Sequence, residues 1–364
     1  METLALHEFH QGLGARFSTV SDAEVVAHYG DVLAEHAALR ERAGVLDLSF
    51  RSRICLTGTD RVRFLHGQVT NDVNRLRVGE GCYAALITAK GRIQSDLNIY
   101  RLQDEVLLDF EPGLTQAISE RLEKYMIADD VQIVDVAPHY GLLSVQGPEA
   151  HSVLSVAEVV AEPPKNAFDL VKIADPDSGE VYLMNQPRLG TSGFDLFIPV
   201  GGVNGMAKRL LAATKAAGGR PCGWEPFEMA RIEAGIPRFG VDMDESNIAL
   251  EAGLENRAIS FSKGCYIGQE VISRIKTYGQ VARALRGLRL DNDLKHLPVK
   301  GDKLFHGGKE VGYVTSALAS PALKANVALG YVRKEANEIG NELTLQTKDG
   351  ESRVRIVEIP FKSS

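Results

Sequence analysis

A lysine and a cysteine lie close to a glycine that could begin a helix, within the stretch SFSKGCYIGQEV. Cys265 follows Lys263 by two residues and precedes Gly268 by three. If a helix begins at Gly268, its unpaired N–H groups and the nearby ammonium both favour the thiolate, so we expect a thiol pKa below the free value of about 8.5. Lys263 and Cys265 are therefore candidate catalytic residues. The alternative for Cys265 is an inert, small apolar side chain, the interpretation we favour for Cys55, Cys82 and Cys222.

A carboxylate on an alternating strand is the second candidate. In GRIQSDLNIYRL, period-two alternation puts Ile93, Leu97 and Ile99 on one face of a strand. The opposite face carries Arg92, Gln94, Asp96, Asn98 and Tyr100. That face is either simply solvated, or it lines a cavity in which Asp96 accepts N–H groups of a polar heterocycle. Burying a polar group without a partner costs ~2–7 kcal/mol, so the second alternative requires such a ligand.

Glu233 is a third candidate because of where its helix ends. WEPFEMARIEAGIPRFG predicts a helix that begins at Pro226 and ends near Gly235. A carboxylate in the last turn is disfavoured by the helix dipole by ~0.3–1 kcal/mol. Either Arg231 or Arg238 neutralises it, or a ligand does. A carboxylate can accept two N–H bonds from an amidine-like edge, such as that of a pterin ring.

Turn residues predict the elements that position these side chains. A hairpin turning at residues 89–91 contains the strand of Asp96. RICLTGTDRVRFLHG predicts a strand, a glycine and a helix capped by Asp60. GLLSVQGPEAHSVL repeats this order with Pro148 at the first helical position. The repeat suggests two related α+β lobes.

The pattern changes after about Arg283. Short strands separated by Gly-Gly and Asp-Gly turn signals continue to the carboxyl end. They predict an all-β terminal domain, a small barrel. The lysine-rich residues 295–303 are expected to form an exposed connection.

Composition limits the class of protein. The 364 residues suggest two or three domains, and the net charge of −7 argues against nucleic acid as a partner. The amino-terminal METLALHEFHQG lacks the apolar core of a signal peptide, and no apolar run approaches a membrane span. The four scattered cysteines fit a reduced compartment, and the nine histidines lack zinc-ligand spacing. We therefore expect a soluble cytoplasmic protein without a metal site.

The residues also resemble a known family. GVLDLSFRSRICLTGTDRVRFLHGQVTNDV, GRIQSDLNIYRL, RLGTSGFDLFIP, RIEAGIPRFGVDMDE, LEAGL and GYVTSALASPALKANVALGYV resemble, in order and over nearly the whole chain, the aminomethyltransferase (T-protein) of the glycine cleavage system. The octet KGCYIGQE is instead similar to the signature of the YgfZ-type folate-binding proteins. These form a branch of the same superfamily, associated with maintaining iron–sulfur enzymes. Aminomethyltransferases typically carry KxDFIG here, with an acid and no thiol.

The resemblance implies an α+β fold, a three-lobed cloverleaf around a folate channel. Residues 1–280 would form the folate-binding domain from the two α+β lobes, and residues 281–364 the carboxyl-terminal β-barrel. Asp96 matches the folate-contacting aspartate of the aminomethyltransferases and is also a candidate catalytic residue. Glu233 matches their pterin-binding glutamate, and Tyr83 an aromatic residue near the folate. Glu251 in LEAGL matches a further site position.

Three functions are compatible with these features. The KGCYIGQE octet favours a tetrahydrofolate-binding protein that supports iron–sulfur cluster assembly or repair. Its partners would be iron–sulfur client proteins, and one-carbon transfer would be an accompanying activity. The alternative is a true aminomethyltransferase, which takes an aminomethyl group from a lipoyl carrier protein, passes its one-carbon unit to tetrahydrofolate and releases ammonia. The third is a reduced-folate-binding module without catalysis.

Overall fold

The structure is a computed structural model that describes residues 3–279 and 281–362. Its first elements are α1 (His7–Gly12), β1 (Arg16–Val20), β2 (Ala23–His28), α2 (Val32–Glu41), β3 (Gly44–Asp47), β4 (Ser52–Thr57), α3 (Arg61–Gln68), β5 (Gly81–Ile87), β6 (Ile93–Arg101), β7 (Val106–Phe110), α4 (Thr115–Glu123) and β8 (Gln132–Asp135). Short 3₁₀ turns lie at Val73–Arg75 and Ala137–His139.

The following elements are β9 (Tyr140–Gln146), α5 (Ala150–Val156), β10 (Leu170–Asp175), β11 (Gly179–Asn185), β12 (Gly193–Pro199), α6 (Val203–Ala216), β13 (Arg220–Pro221), α7 (Trp224–Glu233), α8 (Glu255–Ala258) and α9 (Gln269–Tyr278). The last are β14 (Arg283–Leu290), β15 (Lys303–His306), β16 (Lys309–Ser320), β17 (Ala325–Arg333), β18 (Glu342–Thr347) and β19 (Gly350–Val357).

Contacts divide the chain into two compact units. The first comprises Met1–Ala84 and Asp96–Ala230, and the second comprises Ala85–Ser95 and Arg231–Ser364. The predicted boundary between residues 280 and 281 stays a prediction, and Gln280 lies outside the described residues.

The two predicted α+β lobes are present as two sheets with helices. One sheet has the strand order β5-β6-β7-β4-β8, and the other has the order β10-β11-β12-β9-β3-β13. Both strand–glycine–helix repeats occur, and both glycines have positive φ, +93° at Gly58 and +123° at Gly147. A Cβ at Gly58 would lie 2.1 Å from the carbonyl oxygen of Asp130, so the turn requires glycine.

The starts of the two repeated helices differ from the prediction. Asp60 precedes α3 but makes no capping hydrogen bond to it. Its Oδ2 instead accepts the N–H of Asp130, 3.0 Å away, because the two loops lie side by side. Pro148 is not the first helical residue, since α5 begins at Ala150 after a turn that joins Ala150 N–H to Gly147.

The carboxyl-terminal strands form the predicted barrel. It is closed in the order β14-β17-β16-β15-β18-β19, and its six pairs of neighbouring strands are all antiparallel. Its interior packs apolar side chains that include Leu288, Val314, Leu345 and Ile356. The predicted α+β fold, two sheet-rich lobes followed by a β-barrel, is therefore confirmed.

The predicted hairpin joins β5 to β6. Gly91 has a φ of +74° at its tip. Two backbone hydrogen bonds close the turn. The N–H of Gly91 donates to the carbonyl of Thr88 at 2.8 Å, and the N–H of Thr88 donates to the carbonyl of Arg92 at 2.9 Å. Across residues 3–279 and 281–362, the helices are too short or too polar to cross a membrane.

Candidate functional site

The two faces of β6 are both largely enclosed. Ile93, Leu97 and Ile99 are fully buried, as their alternation predicts. On the opposite face Tyr100 is also fully buried and Asn98 is 7% exposed, while Asp96 is partly exposed. The interpretation of this face as simply solvated is therefore wrong for its carboxyl-terminal half. Asp96 therefore lies at the solvent-accessible end of a buried polar face.

Tyr83 holds the Asp96 carboxylate. The Tyr83 hydroxyl on β5 donates to Oδ2 of Asp96 at 2.8 Å. Burial, and next the negative charge of Glu111, raise the pKa of Asp96 to about 6, although the Tyr83 hydrogen bond and Arg51 act in the opposite direction. The structure thus brings together two of the residues selected from the sequence, and one of them can change its charge near neutral pH.

A buried network of charges lies on the same strand face, beyond Asp96. Asn98 Nδ2 donates to Asp109 Oδ2 at 2.8 Å, and Arg51 Nε donates to Oδ1 of the same carboxylate at 2.8 Å. Arg188 joins Asp109 and Asp195 at 2.8 and 2.6 Å. Burial alone would raise the pKa of Asp109, but the two guanidinium groups hold it well below its ordinary value.

This network was not predicted from the sequence. A signal was present in VLLDFEP, where an apolar strand carries acids at alternate positions, Asp109 and Glu111. Carboxylates on a buried strand require counter-charges. Their arginine partners lie far away in the chain, so the pattern alone could not identify them.

Glu233 is the last residue of α7 and is 2% exposed. Its carboxylate accepts a hydrogen bond from the Ser320 hydroxyl, and its carbonyl accepts the N–H of Phe361 at 3.2 Å. The helix begins at Trp224, two residues before the predicted Pro226, and it ends close to the predicted Gly235, whose φ is +66°. Glu233 therefore lies among the hydroxyl and backbone groups of the second unit.

Arg231, one of the two counter-ions considered for Glu233, forms an ion pair with Asp242. Asp242 Oδ1 also accepts the hydroxyls of Thr315 and Ser316, each at 2.6 Å. This buried cluster joins the end of α7 to strand β16 within the second unit, and it too was missed from the sequence.

Glu251 is buried against an arginine of the barrel. Its Oε2 accepts Arg283 Nε at 3.2 Å and the N–H of Ile248 at 3.2 Å. The same guanidinium lies 5.1 Å from the ring centroid of Tyr331. These contacts fix LEAGL to the first barrel strand. A role for Glu251 in folate binding stays a prediction.

Lys263 and Cys265 lie in the loop before α9 and differ in exposure. Lys263 is 6% exposed, and its Nζ lies 4.7 Å from the ring centroid of Tyr266, whereas Cys265 is exposed. The predicted helix start is confirmed, because Gly268 is the N-cap of α9 with a φ of +85°. A Cβ there would lie 2.4 Å from the carbonyl oxygen of Thr88, so this position requires glycine.

Comparisons with known proteins agree over nearly the whole chain. Residues 6–263 match the GCVT N-terminal domain, and residues 283–362 match the glycine cleavage T-protein C-terminal barrel domain. The chain belongs to the GCVT family. It is 30% identical to an aminomethyltransferase from Symbiobacterium thermophilum over 99% of this chain and 96% of that one.

Two further relatives of this GCVT-family chain are informative. A putative chloroplastic transferase from Arabidopsis thaliana is 30% identical over 98% of this chain and 79% of its own length. The crystal structure of the glycine cleavage system aminomethyltransferase T from Bartonella henselae superposes with a TM-score of 0.89 at 26% identity, covering 99% of this chain and 98% of that chain. The resemblance to the superfamily is confirmed. The finer assignment to the YgfZ-type branch stays a prediction.

Proposed function

We propose that this chain binds tetrahydrofolate and transfers a one-carbon unit to it, as an aminomethyltransferase whose donor is a lipoyl carrier protein. The observation that carries the proposal is the Asp96 carboxylate, held by the Tyr83 hydroxyl on a largely enclosed strand face and titrating near neutral pH. The relatives named aminomethyltransferase favour this activity over the iron–sulfur role that the KGCYIGQE octet first suggested.

The residues fit a reduced folate by their chemistry. An ionised Asp96 would accept hydrogen bonds from N–H groups of the heterocycle. The hydrogen bond from Tyr83 would fix the orientation of the carboxylate for this contact. Glu233 would accept N–H bonds from the amidine-like edge of the pterin, and Glu251 is a further folate-binding candidate. Tetrahydrofolate is a substrate here, and it supplies the two nitrogens that accept the carbon.

The proposed reaction balances without an oxidant. The bonds from the aminomethyl carbon to the lipoyl sulfur and to the amine nitrogen break, and the carbon forms two bonds to folate nitrogens. The two protons lost by those nitrogens go to the sulfur and to the departing amine. Positive charge develops on the carbon–nitrogen unit as the amine leaves, and the negative charge of Asp96 stabilises it.

An assay with an aminomethyl-loaded lipoyl carrier and tetrahydrofolate tests this proposal. We expect ammonia and methylenetetrahydrofolate to form in equal amounts, at a rate proportional to protein concentration. Asp104→Asn, which removes an exposed carboxylate near the end of β6, is a matched control that should keep the full rate. Folate binding without any product from a loaded carrier would overturn the transferase activity.

Cys265 supports a second candidate function. It is exposed, and it occupies the position where aminomethyltransferases typically carry an acid. A tetrahydrofolate-binding protein that supports iron–sulfur enzymes through this thiol would act in the cytoplasm, where thiols stay reduced. In cells lacking the gene, Cys265→Ala would then fail to restore iron–sulfur enzyme activities that the wild type restores. Full restoration by Cys265→Ala would remove this candidate.

A further inference from the structure

Two carboxylates face each other across neighbouring strands at the edge of the candidate site. Strands β6 and β7 are antiparallel, and Asn98 is the partner of Asp109 in their register. Continuing that register by two residues puts Glu111, just after β7, opposite Asp96. Side chains opposite each other in an antiparallel pair lie on the same face of the sheet, with Cβ atoms about 4.5–5.5 Å apart.

The two carboxylates have different partners. Glu111 is 8% exposed and accepts Arg51 Nη1 at 2.7 Å. Asp96 accepts the neutral hydroxyl of Tyr83. A guanidinium stabilises the charged form of a carboxylate more than a phenol does, so the Tyr83 hydrogen bond favours an ionised Asp96 less than an arginine in its place would.

Groups that act on the charge of Asp96 come from separate parts of the chain. Tyr83 lies on β5, Glu111 follows β7, and Arg51 lies in the segment before β4. Arg51 is shared, because its Nε also donates to Asp109. The Arg51 guanidinium thus donates hydrogen bonds to two carboxylates, those of Asp109 and Glu111. Its positive charge also lowers the pKa of Asp96, but less than burial and Glu111 raise it.

We propose that Glu111 is a positioning residue for one-carbon transfer: held by Arg51 opposite Asp96, its carboxylate sets how readily Asp96 takes up and releases a proton. This inference rests on the function proposed above. The negative charge of Glu111 opposes ionisation of Asp96, because like charges that lie close together disfavour the charged form. Glu111 acts through Asp96 and does not need to touch the folate.

The test is the titration of Asp96 in the free protein, followed by NMR of carboxyl-labelled aspartate, with Asp96→Asn identifying the resonance. Glu111→Gln removes the opposing charge and frees Arg51, so the Asp96 midpoint should fall by about one pH unit or more. Glu111→Asp keeps the charge and should retain most of the wild-type midpoint. The pH below which kcat/KM for one-carbon transfer falls should shift with the Asp96 midpoint in each variant.

An unchanged Asp96 midpoint in folded Glu111→Gln would overturn the proposal and leave the transferase function standing. Failure of the wild type to use folate would instead overturn the function, while the titration still reports the coupling. A second measurement avoids any folding defect of the variant. In wild-type protein labelled at glutamate, the Glu111 resonance should show a step near the Asp96 midpoint that Asp96→Asn abolishes, and a missing step in the wild type would also overturn the proposal.

Discussion

The strand face around Asp96 and the loop around Cys265 are constructed in opposite ways. The first assembles Tyr83, Asp96 and Glu111 from separate stretches of chain, and hydrogen bonds and ion pairs fix their side chains. The second is a continuous loop whose shape depends on Gly268 and whose thiol is exposed. An enclosed, fixed carboxylate suits the orientation of a small heterocycle, whereas an exposed thiol suits encounter with another molecule.

The difference indicates where each region's chemistry is controlled. The charge of Asp96 depends on burial and on Glu111, so substitutions at distant positions in the chain will change it. Cys265 is exposed in a continuous loop, so we expect its reactivity to depend on that loop. The following predictions test this contrast.

The largest effect is expected from Asp96→Asn on one-carbon transfer. The amide preserves the shape and can still accept from Tyr83, but it carries no negative charge to stabilise the developing cation. Loss of one such electrostatic contact typically lowers a rate by ~10²–10³-fold. Steady-state formation of methylenetetrahydrofolate measures this. A rate within about twofold of the wild type would show that Asp96 is not part of the catalytic machinery.

Cysteine alkylation should differ by about tenfold or more between the loop and the protein interior. Cys55 and Cys222 are 3% and 1% exposed, and burial raises the pKa of both thiols. Cys265 is exposed and should react first. Mass spectrometry of all four sites across pH checks the order, with Cys265→Ser as the control for peptide assignment.

Lys263→Ala should slow the alkylation of Cys265 without abolishing it, because the helix start at Gly268 remains. Cys265→Ala should leave the thermal unfolding temperature unchanged, since an exposed loop side chain contributes little buried area. A Cys265 that reacts more slowly than the buried cysteines would contradict the description of the loop.

Glu233→Gln should weaken tetrahydrofolate binding by roughly tenfold, because a hydrogen bond to a charged group is worth ~1.5–3 kcal/mol. Glu245→Gln, which removes an exposed carboxylate of the same unit, is the matched control and should bind as the wild type does. Equal affinity in Glu233→Gln would remove Glu233 from the binding site and leave it as a structural partner of Ser320.

The smallest effect is on stability, and it has the opposite sign to the loss of activity. The pKa of Asp96 rises from an ordinary value of 3.8 to about 6 on folding. The folded state therefore binds the proton more tightly, and the free energy of unfolding falls as pH rises through that window. A rise of this size corresponds to at most about 3 kcal/mol, and the partial exposure of Asp96 lowers it. Asp96→Asn removes this penalty and should stabilise the protein by about 1–2 kcal/mol above pH 6.

Urea unfolding at pH values above and below the window measures this prediction. The stabilisation by Asp96→Asn should disappear below the ordinary pKa of aspartate, where Asp96 is protonated in both states. A stabilisation that is independent of pH would show that the carboxylate charge is not its cause.

Features with local signals could be predicted from the sequence. The hairpin turn at Gly91, the strand–glycine–helix repeats, the barrel strands and the start of α9 all follow from glycine positions and alternation. The start of α5 could not be predicted from Pro148, since the proline lies in the turn before the helix. Asp60 failed as a cap because a distant loop supplies its hydrogen-bond donor.

The network behind Asp96 depends on register between distant segments. Arg51 meets Asp109 across 58 residues, and Arg188 meets the same carboxylate across 79. Nothing near either arginine in the chain specifies these pairings. Arg51 meets Asp109 because β4 pairs with β7, and Arg188 reaches the same carboxylate from the segment between β11 and β12. The candidate residues Tyr83 and Asp96 could be selected from the resemblance, but the groups that set the charge of Asp96 could not.

The central claim, a tetrahydrofolate site that depends on an ionised Asp96, is tested most directly by calorimetric titration of tetrahydrofolate into wild type and Asp96→Asn under anaerobic conditions. Wild type should bind tetrahydrofolate when the pH is about one unit above the Asp96 midpoint, where the carboxylate is ionised. Its affinity should fall as the pH falls through about 6. Asp96→Asn should bind roughly tenfold or more weakly, without that pH dependence. Equal affinity of the two proteins at neutral pH, or no binding by the wild type, would contradict the claim.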